Sequence, residues 1–567
     1  MSEHSVTAPT GKRLISGELR ARGAPTERQQ GSDHREILFI EPPRAKQECL
    51  DLLVLNPPAP NSASSRRASH SEAARPQTAL AQLGAVIQEA GYRVDVVDAH
   101  GMGMTWEQLE QYMWRFRPRY TIIHAAAATL TNDMRATFLG KAAGTITIAI
   151  GAHVTALSRE TLETYPSLDV VVRGEPELTA LEVMRAIDRQ VERERADAPA
   201  PVGGLELVSP SRARPFPDAS YLATGGRQRA VPPALIARAL RETRGVAFRD
   251  EHGVVSITPD RPLIENLDSL PLPLHHLLPW RKYRVPIVGR PYTFVLTSRG
   301  CPGGCRYCIK HVTYQSTVRH RSAEHVLREL HLLKQIGVHH IHFEADLFTV
   351  NRAFVYDLCR MILSEGLDLR WSCNSRVDFV DEELLLLMRR AGCFLIGWGL
   401  ESGSEEVLRR ARKGTTVALM QEMLAASRRV GIKNWGYFMI GLPGETVETI
   451  RQTIDLSKRL PLDIALFHIA TPYPGTPLYY EAVENGWIRM ERWEDFDMCR
   501  SAALSYPHLS ASDLEYWVRR AAREWSLRPA PLLRLLRAAA KRETLRHLWR
   551  SGSDHTRWMV GGLAPIS

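Results

Sequence analysis

Two long parts of the sequence alternate short apolar segments with helical stretches, and this alternation restricts the chain to a few parallel α/β architectures. The first part contains five such units, with strands predicted at residues 52–55, 94–97, 120–123, 145–150 and 169–172. Strands that alternate with amphipathic helices form a doubly wound parallel sheet, which binds its ligand at the carboxyl ends of the strands. The sequence therefore predicts an α/β domain of this class over residues 47–193.

The second part starts near residue 292, and its helices end on a glycine that is followed at once by an apolar strand. Glycine just past a helix adopts the left-handed conformation that a helix C-cap needs, so the repetition marks consecutive αβ units. Strands are predicted at residues 293–297, 338–343, 367–373, 393–400, 432–440 and 464–470. Six units over residues 287–506 predict a partial (β/α)6 barrel, although the same periodicity also fits a second flavodoxin-like sheet.

The remaining segments differ in composition. Residues 1–46 are rich in Arg, Ser, Gly and Gln and lack apolar periodicity, which predicts a disordered extension. Residues 194–286 are rich in Pro, Ala and Arg, and we predict a linker region with a small hairpin around residues 250–253. Residues 507–567 are predicted to be a helical C-terminal segment, with apolar positions occupied by Trp517, Trp525 and Trp549.

Two features bear on where the protein works. No stretch of apolar residues is long enough to span a membrane, and the polar N-terminus lacks the apolar segment of a signal peptide. With only 8 cysteines in 567 residues, a disulfide framework is excluded as well. These features predict a cytoplasmic protein.

The net charge of +10 is concentrated near the end of the sequence. Ten basic residues between Arg519 and Arg550 face only two acidic residues, Glu524 and Glu543. Such a segment can contact nucleic acid, membrane headgroups or an anionic substrate, or it can be a solvated helix face. Aromatic residues do not alternate with the charges as stacking platforms do, so we predict no nucleic-acid binding and allow a weak contact with a membrane surface.

Three cysteines lie within eight positions, directly after the first predicted strand of the second part: Cys301, Cys305 and Cys308. Three thiolates at this spacing can bind three irons of a 4Fe-4S cluster and leave the fourth iron without a protein ligand. An iron with an open position can bind a reactant. The alternative, a zinc site, needs a fourth ligand, for which His311 is the nearest candidate.

The CxxxCxxC spacing, with Tyr307 before the last cysteine and a βα barrel around it, resembles the radical S-adenosylmethionine (SAM) superfamily. The resemblance implies that the three cysteines hold a 4Fe-4S cluster whose open iron chelates the amine and carboxylate of SAM, with Tyr307 close to these cofactors. It also implies that an external one-electron reductant, of the flavodoxin or ferredoxin type, drives cleavage of SAM to methionine and a 5′-deoxyadenosyl radical.

Further segments match this superfamily at the expected intervals. Glu344 and Asp346 end the second predicted strand of the barrel, where the family has an acidic group that meets the SAM amine. Ala345 stands at a position that is often acidic in relatives, so either neighbouring carboxylate can take this role. Carboxylates at strand ends can also simply cap helices.

Later strand ends match the segments that contact the ribose, the carboxylate and the adenine of SAM. The contacts that the resemblance implies there are Arg376, Glu401, Ser402 and Gly441.

An α/β domain ahead of such a barrel is similar to the cobalamin-binding members of the superfamily, so cobalamin is implied as a second cofactor in a flavodoxin-like domain. The implied contacts lie in the loops after its strands: Asn56, Thr129, Gly151, His153, Gly174 and Glu175. Residues 98–103 match a DxHxxG motif in which a histidine binds cobalt. They follow the second strand instead of the first, so we interpret this match as coincidence.

The segment 470–487 and the helical tail are similar to the group of the hopanoid-biosynthesis radical SAM protein and, more distantly, the anaerobic magnesium-protoporphyrin ester cyclase. The resemblance implies an enzyme acting on a small molecule. Our first hypothesis is C-methylation of an unactivated carbon, with cobalamin carrying the methyl group. The second keeps both cofactors and forms, contracts or oxidises a ring without methyl transfer. A noncatalytic cofactor-binding sensor is the third, and no helix-turn-helix motif supports it.

Overall fold

The structure is a computed structural model, and it describes residues 50–59, 75–197, 231–283, 291–490, 492–499 and 501–533. The predicted disordered extension lies outside the described residues, as do residues 198–230 of the predicted linker and residues 534–567 of the predicted helical segment. Most of the described chain belongs to two sheets and the helices that cover them.

Seven strands form the N-terminal sheet, in the order β2-β1-β3-β4-β5-β6-β7. They are β1 Leu52–Asn56, β2 Val94–Asp98, β3 Tyr120–His124, β4 Ile146–Ile150, β5 Val170–Val172, β6 Val246–Arg249 and β7 Val255–Ile257. The first five are parallel and reproduce the five predicted strands to within one residue at each end. Their order reverses at β1, as it does in doubly wound sheets.

Helices cover both faces of this sheet. They are Thr78–Glu89, Ala99–Met102, Trp106–Phe116, Leu130–Ala142, Ala152–Ala156, Ser158–Thr164, Pro176–Asp197 and Pro233–Leu240. Leu52 and Val54 pack into the core on one face, whereas Leu53 and Leu55 pack into the core on the other. Burial on both faces explains why β1 is a continuous apolar run, and the predicted doubly wound domain is confirmed.

The predicted linker region differs from the structure in its described part, residues 231–283. Helix Pro233–Leu240 packs on the N-terminal sheet, and β6 pairs antiparallel with β5. The predicted hairpin is the turn between β6 and β7, where the Asp250 carboxylate accepts the backbone N–H groups of His252 and Val254. The sequence indicated this hairpin but not its pairing with β5, because the two strands are only 4 and 3 residues long and β5 lies far earlier in the chain.

Six parallel strands form the C-terminal sheet, in the order β15-β14-β13-β12-β11-β8. They are β8 Thr293–Leu296, β11 His340–Glu344, β12 Arg370–Ser375, β13 Cys393–Glu401, β14 Lys433–Ile440 and β15 Ile464–Ile469. Spatial order follows chain order, so every crossover runs in the same direction, as in a barrel, whereas a flavodoxin-like sheet reverses direction. The partial (β/α)6 barrel is therefore confirmed. A two-stranded ribbon, β9 Ser298–Arg299 and β10 Arg319–His320, follows β8.

Helices between these strands cover the outer face of the barrel. They are Ala323–Gln335, Arg352–Ser364, Glu382–Arg390, Glu405–Arg410, Val417–Arg429 and Val447–Arg459. The short helix Lys310–Tyr314 has no buried residue, and Pro477–Glu484 follows the last strand. The glycines predicted to end helices have φ from 57° to 99°: Gly337, Gly366, Gly392 and Gly431. A Cβ on Gly392 would also lie 2.1 Å from the carbonyl oxygen of Leu369, so only glycine fits there.

The helix Ala511–Ser526 follows the barrel and packs against it. Trp517 and Trp525 are buried, and the indole N–H of Trp525 donates to the carbonyl of Ser457 at 3.1 Å. These two predicted apolar positions are confirmed, whereas Trp549 lies outside the described residues.

The described part of the basic C-terminal segment is an internally paired helix face. Arg519 pairs with Glu515, and Arg520 pairs with Glu524 one turn further along. The basic residues from Arg534 to Arg550 lie outside the described residues, and the membrane contact stays a prediction. Within the part of the chain that the structure describes, no helix is both long and apolar enough to cross a bilayer.

Candidate active site

The three cysteines lie in the loop between β9 and the helix Lys310–Tyr314. Gly300 opens this loop with a φ of 88°, and a Cβ there would lie 1.9 Å from the carbonyl oxygen of Thr317. The Asp346 carboxylate, just past β11, accepts the Gly300 N–H at 2.7 Å and pairs with the Lys310 ammonium group at 2.7 Å. One carboxylate therefore holds both ends of the cysteine loop.

Protein groups surround the three thiols. The Gly303 N–H points at Cys301 Sγ at 3.4 Å, and the guanidinium group of Arg376 lies 3.8 Å from Cys305 Sγ. Arg376, a predicted SAM contact, thus lies beside the loop. Burial raises the pKa of Cys301 and raises the pKa of Cys308 to about 11. Such thiols keep their protons until a metal displaces them.

The loop offers three free thiols, the donor set that a 4Fe-4S cluster with one open iron requires. Among the described residues, no three His, Cys, Asp or Glu side chains are placed together to hold one metal ion. A 4Fe-4S cluster takes each thiolate on a different iron, so it needs thiols spread along a loop. His311, the fourth ligand of the zinc alternative, places Nδ1 3.0 Å from the carbonyl of Gln315, and its buried Nε2 has no hydrogen-bond partner among the described residues. Burial, and then the charge of Glu401, raise the pKa of Tyr307, which stays a neutral phenol beside the thiols.

The two acidic candidates at the end of β11 have different surroundings. Asp346 is occupied by Gly300 and Lys310. Glu344 has a buried Oε2 without a hydrogen-bond partner in the described chain, and the ring of His342 lies 3.6 Å from it. Burial lowers the pKa of His342, so this ring is neutral. Glu344 is therefore the carboxylate that has an acceptor available for an ammonium group.

Glu401 ends β13 in a left-handed conformation, with a φ of 66°, where the register between β13 and β14 shifts. Its carboxylate accepts a hydrogen bond from Lys413 Nζ at 2.8 Å, and the two side chains are only 10% and 6% exposed. This conformation costs a residue with a Cβ roughly 1–2 kcal/mol, and strain of this kind concentrates at functional sites. Lys413 was not among the predicted residues, since it lies on no strand end.

Two of the other predicted SAM contacts are held by protein groups. Ser402 is fully buried, and its hydroxyl lies 3.1 Å from the hydroxyl of Thr453. Gly441 has a φ of 96°, and its carbonyl accepts the Tyr506 hydroxyl at 2.7 Å. Gly441 thus joins the end of β14 to the segment that follows the barrel, and its contact with SAM stays a prediction.

Glu445 is a buried carboxyl just after β14. It accepts the backbone N–H groups of Gly441 and Leu442, and burial nevertheless raises its pKa from 4.5 to about 8. The folded protein therefore keeps this proton up to about pH 8, whereas the unfolded chain releases it near pH 4.5. Because the folded state binds more protons in this interval, the free energy of unfolding falls as the pH rises through it.

We expect Glu445→Gln to remove this contribution, which amounts to about 1.4 kcal/mol per pH unit. Denaturant unfolding of both proteins across the interval from pH 4.5 to about 8 measures it. Glu448→Gln, in the first turn of the next helix, is the matched control and keeps the wild-type slope. A wild-type slope in Glu445→Gln would contradict the assignment.

Aromatic rings line the inner face of the barrel. Trp435 and Tyr437 of β14 stack with centroids 5.5 Å apart, and Tyr437 stacks on His468 of β15 at 6.2 Å. Phe294 of β8 packs against His342 of β11 at 5.3 Å. All five side chains are partly exposed, and the indole nitrogen of Trp435 has no hydrogen-bond partner within the described residues. This inner face is suited to a small molecule with a flat apolar surface.

The loops predicted to contact cobalamin lie together at the carboxyl ends of the N-terminal strands. The residues concerned are Asn56 after β1, Thr129 after β3, Gly151 and His153 after β4, and Gly174 after β5. Gly151 has a φ of 133°, and a Cβ there would lie 2.4 Å from the carbonyl oxygen of Ala125. Its lack of a side chain lets two loops approach closely.

His153 is buried, and it packs edge-on against Trp493, with ring centroids 4.6 Å apart. Burial lowers its pKa to about 4, so the imidazole is neutral at physiological pH. Trp493 belongs to the segment that follows the barrel, and no motif in the sequence indicated that this segment reaches the N-terminal loops.

The DxHxxG match begins at the last residue of β2, the edge strand of the sheet, and continues into the helix Ala99–Met102. Asp98 accepts hydrogen bonds from Gly101 N–H at 2.9 Å, from the Tyr283 hydroxyl at 2.6 Å and from the Asn56 amide at 2.7 Å. A structural role accounts for Asp98, and the interpretation of the motif as coincidence stays a prediction for His100.

Glu175, a predicted cobalamin contact, is bound by protein groups in this structure, and its contact with cobalamin stays a prediction. Its carboxylate accepts hydrogen bonds from Arg299 at 2.9 Å, from Arg319 at 2.8 Å and from the Ile264 N–H at 2.7 Å. Both oxygens are therefore bound by protein groups. The sequence did not indicate this, because the two arginines lie more than 100 positions away.

Comparison with known proteins gives a family match within the second half of the chain. Residues 295–457 match the family model of the Radical SAM superfamily. The chain carries a radical SAM domain. The chain is 29% identical over 462 residues to an uncharacterized methyltransferase of Pyrococcus horikoshii, and this alignment covers 81% of this chain and 89% of the relative. It is 27% identical over 416 residues to the anaerobic magnesium-protoporphyrin IX monomethyl ester cyclase of Cereibacter sphaeroides, and this alignment covers 72% of this chain and 60% of the cyclase.

Among solved structures, the radical SAM methyltransferase TsrM from Kitasatospora setae, with cobalamin and a [4Fe-4S] cluster bound, superposes with a TM-score of 0.57. The match covers 77% of this chain and 79% of TsrM at 17% identity. This likeness shows that the two share a fold over the matched residues. The predicted fold class is thereby confirmed across both parts.

Proposed function

We propose that the protein is a cobalamin-dependent radical SAM enzyme that transfers a methyl group to an unactivated carbon of a small molecule. The three-cysteine loop at the mouth of the barrel, next to a doubly wound domain, carries this proposal. The TsrM fold and the methyltransferase of Pyrococcus horikoshii, whose alignment covers 81% of this chain, support cobalamin and methyl transfer.

The residues divide between the cofactors by their positions. Bound here, the cluster would supply the electron that cleaves SAM, and cobalamin would carry the methyl group. Cys301, Cys305 and Cys308 would hold the cluster, while the loops after β1, β3, β4 and β5 would hold cobalamin. The aromatic inner face of the barrel would exclude water from the substrate. An external flavodoxin- or ferredoxin-type protein would deliver the electron in the reducing cytoplasm.

The surroundings of Glu344 and Asp346 predict different effects for their amide variants. Glu344→Gln should weaken SAM binding by about tenfold and keep the iron content, because a carboxylate that meets the SAM amine loses a charge-assisted bond. Asp346→Asn should instead lower the iron content, because Gly300 and Lys310 lose their shared acceptor. Iron analysis and equilibrium SAM binding, done anaerobically on both variants, measure the two effects. If Asp346→Asn weakened SAM binding and Glu344→Gln lowered the iron content, Asp346 would be the carboxylate that meets the SAM amine.

The experiment that tests the function is anaerobic. The protein is reconstituted with iron, sulfide and cobalamin, then given reductant, candidate substrates and methyl-labelled SAM. Methyl transfer predicts that 5′-deoxyadenosine and S-adenosylhomocysteine form together and that the label reaches the product. Turnover that gives 5′-deoxyadenosine without S-adenosylhomocysteine would overturn methyl transfer and favour ring chemistry like that named for the cyclase relative.

A further inference from the structure

A buried ionic network joins the N-terminal sheet to the radical SAM domain. The guanidinium group of Arg299 donates to both oxygens of Glu177 and, at 2.9 Å, to Glu175. Glu175 also accepts from Arg319 at 2.8 Å. The four side chains are between 3% and 11% exposed. Its two positive and two negative charges balance, so the network buries no net charge away from water.

The two halves of this network come from places that matter for both proposed cofactors. Glu175 and Glu177 follow β5 directly, in the loop and first helical turn next to Gly174. Arg299 and Arg319 face each other across the β9–β10 ribbon. Arg299 is the residue before Gly300, which opens the cysteine loop and is itself fixed by Asp346.

The chemistry of the network favours a role in orienting the cysteine loop relative to the N-terminal domain over a role in only holding the two together. Arg299 forms a two-point contact with Glu177, and a planar guanidinium fork fixes both distance and angle, which an ammonium group cannot do. Burial alone would raise the pKa of Glu175, but the bond from Arg319 and the charge of Arg299 outweigh it and lower the pKa. Glu175 is therefore ionised, and the network holds its geometry without competition from water.

We propose that Glu175 and Glu177 are positioning residues that act through Arg299 to set the cysteine loop at a fixed distance from the N-terminal domain. The proposal rests on the proposed function, because that distance separates the cluster site from the cobalamin site. Methyl transfer between the two sites requires both cofactors to reach one substrate carbon, so a fixed separation is a condition for turnover.

Two variants and one control test this role. Arg299→Lys keeps the charge and removes the two-point contact. The double variant Arg299→Gln with Glu177→Gln removes both charges, so that no unpaired charge stays buried and the chain can fold. Asp260→Asn, whose partner is Arg173 and whose side chain is 71% exposed, is the matched control at the edge of the same domain.

The first readout is hydrogen exchange in the metal-free chain. We expect faster exchange in the peptide that contains residues 298–308 in both variants, with unchanged exchange in the core strand β4 and throughout the control. Faster exchange in β4 as well would overturn the proposal, because the network would then only stabilise the fold. Unchanged exchange around the cysteine loop would overturn it too.

The second readout uses the protein loaded with cluster and cobalamin. When the cluster is reduced and cobalt is in the Co(II) state, the magnetic interaction between the two spins reports their separation. We expect wild-type iron and cobalamin contents in both variants. The single splitting that the interaction between the two spins gives in the wild-type protein should be lost. A wild-type splitting, or loss of iron, would overturn the proposal. If the wild-type chain bound no cobalamin, the proposed function would fail, while hydrogen exchange would still decide the role of the network.

Discussion

Replacement of any one of Cys301, Cys305 and Cys308 by alanine will abolish the 4Fe-4S absorbance and the cleavage of SAM. Each thiol would bind a different iron, so the loss of one leaves two irons without a protein ligand, and the cluster cannot assemble stably. The chain itself should still fold, because the loop is held by Asp346, Lys310 and the close approach of Gly300 to Thr317 rather than by the thiols.

Reconstitution with iron and sulfide, followed by absorbance and 5′-deoxyadenosine assays, measures this effect. Cys359→Ala is the matched control: this thiol is fully buried in the core of the barrel helices, away from the loop, and its variant should retain iron and SAM cleavage. Full SAM cleavage in any of the three loop variants would remove the basis of the site assignment.

The fold was predictable to a large extent because its signals are local. Strands β11 to β14 were found since each follows a helix that ends on glycine, and the four glycines have the left-handed conformation that this pattern requires. The hairpin of β6 and β7 was predicted, but its place in the N-terminal sheet was missed for the opposite reason. Three or four residues carry too little periodicity, and their place at the sheet edge depends on pairing with β5, far earlier in the chain.

The candidate site was predictable where spacing along the chain determines it, as for the three cysteines. It was not predictable where residues meet only in the fold. Lys413 lies 12 positions after Glu401, and nothing in the segment around it resembles a binding motif. Glu175 lies in a strand-end loop, as cofactor contacts do, but its partners are the arginines around the cysteine loop. Position at a strand end indicates a functional region without identifying the partner.

The second large effect concerns Glu401. We expect Glu401→Ala to weaken SAM binding at least about tenfold while the cluster stays in place, since a charge-assisted hydrogen bond contributes roughly 1.5–3 kcal/mol. The strained conformation of Glu401 at the end of β13 supports a direct role. Equilibrium binding of SAM to the reconstituted variant, with iron content measured in parallel, tests this.

The variant also leaves the buried ammonium group of Lys413 without its partner, which destabilises a chain by about 3–5 kcal/mol. Weaker SAM binding could then result from a loosened site.

The double variant Glu401→Ala with Lys413→Met separates the two effects, because it removes both charges and should recover most of the lost stability. If Glu401 touches SAM, affinity stays low in the double variant although stability returns. If affinity returns with stability, Glu401 acts only by holding Lys413. Loss of iron from the stable double variant would instead place Glu401 among the supports of the cysteine loop, through the neighbouring Tyr307.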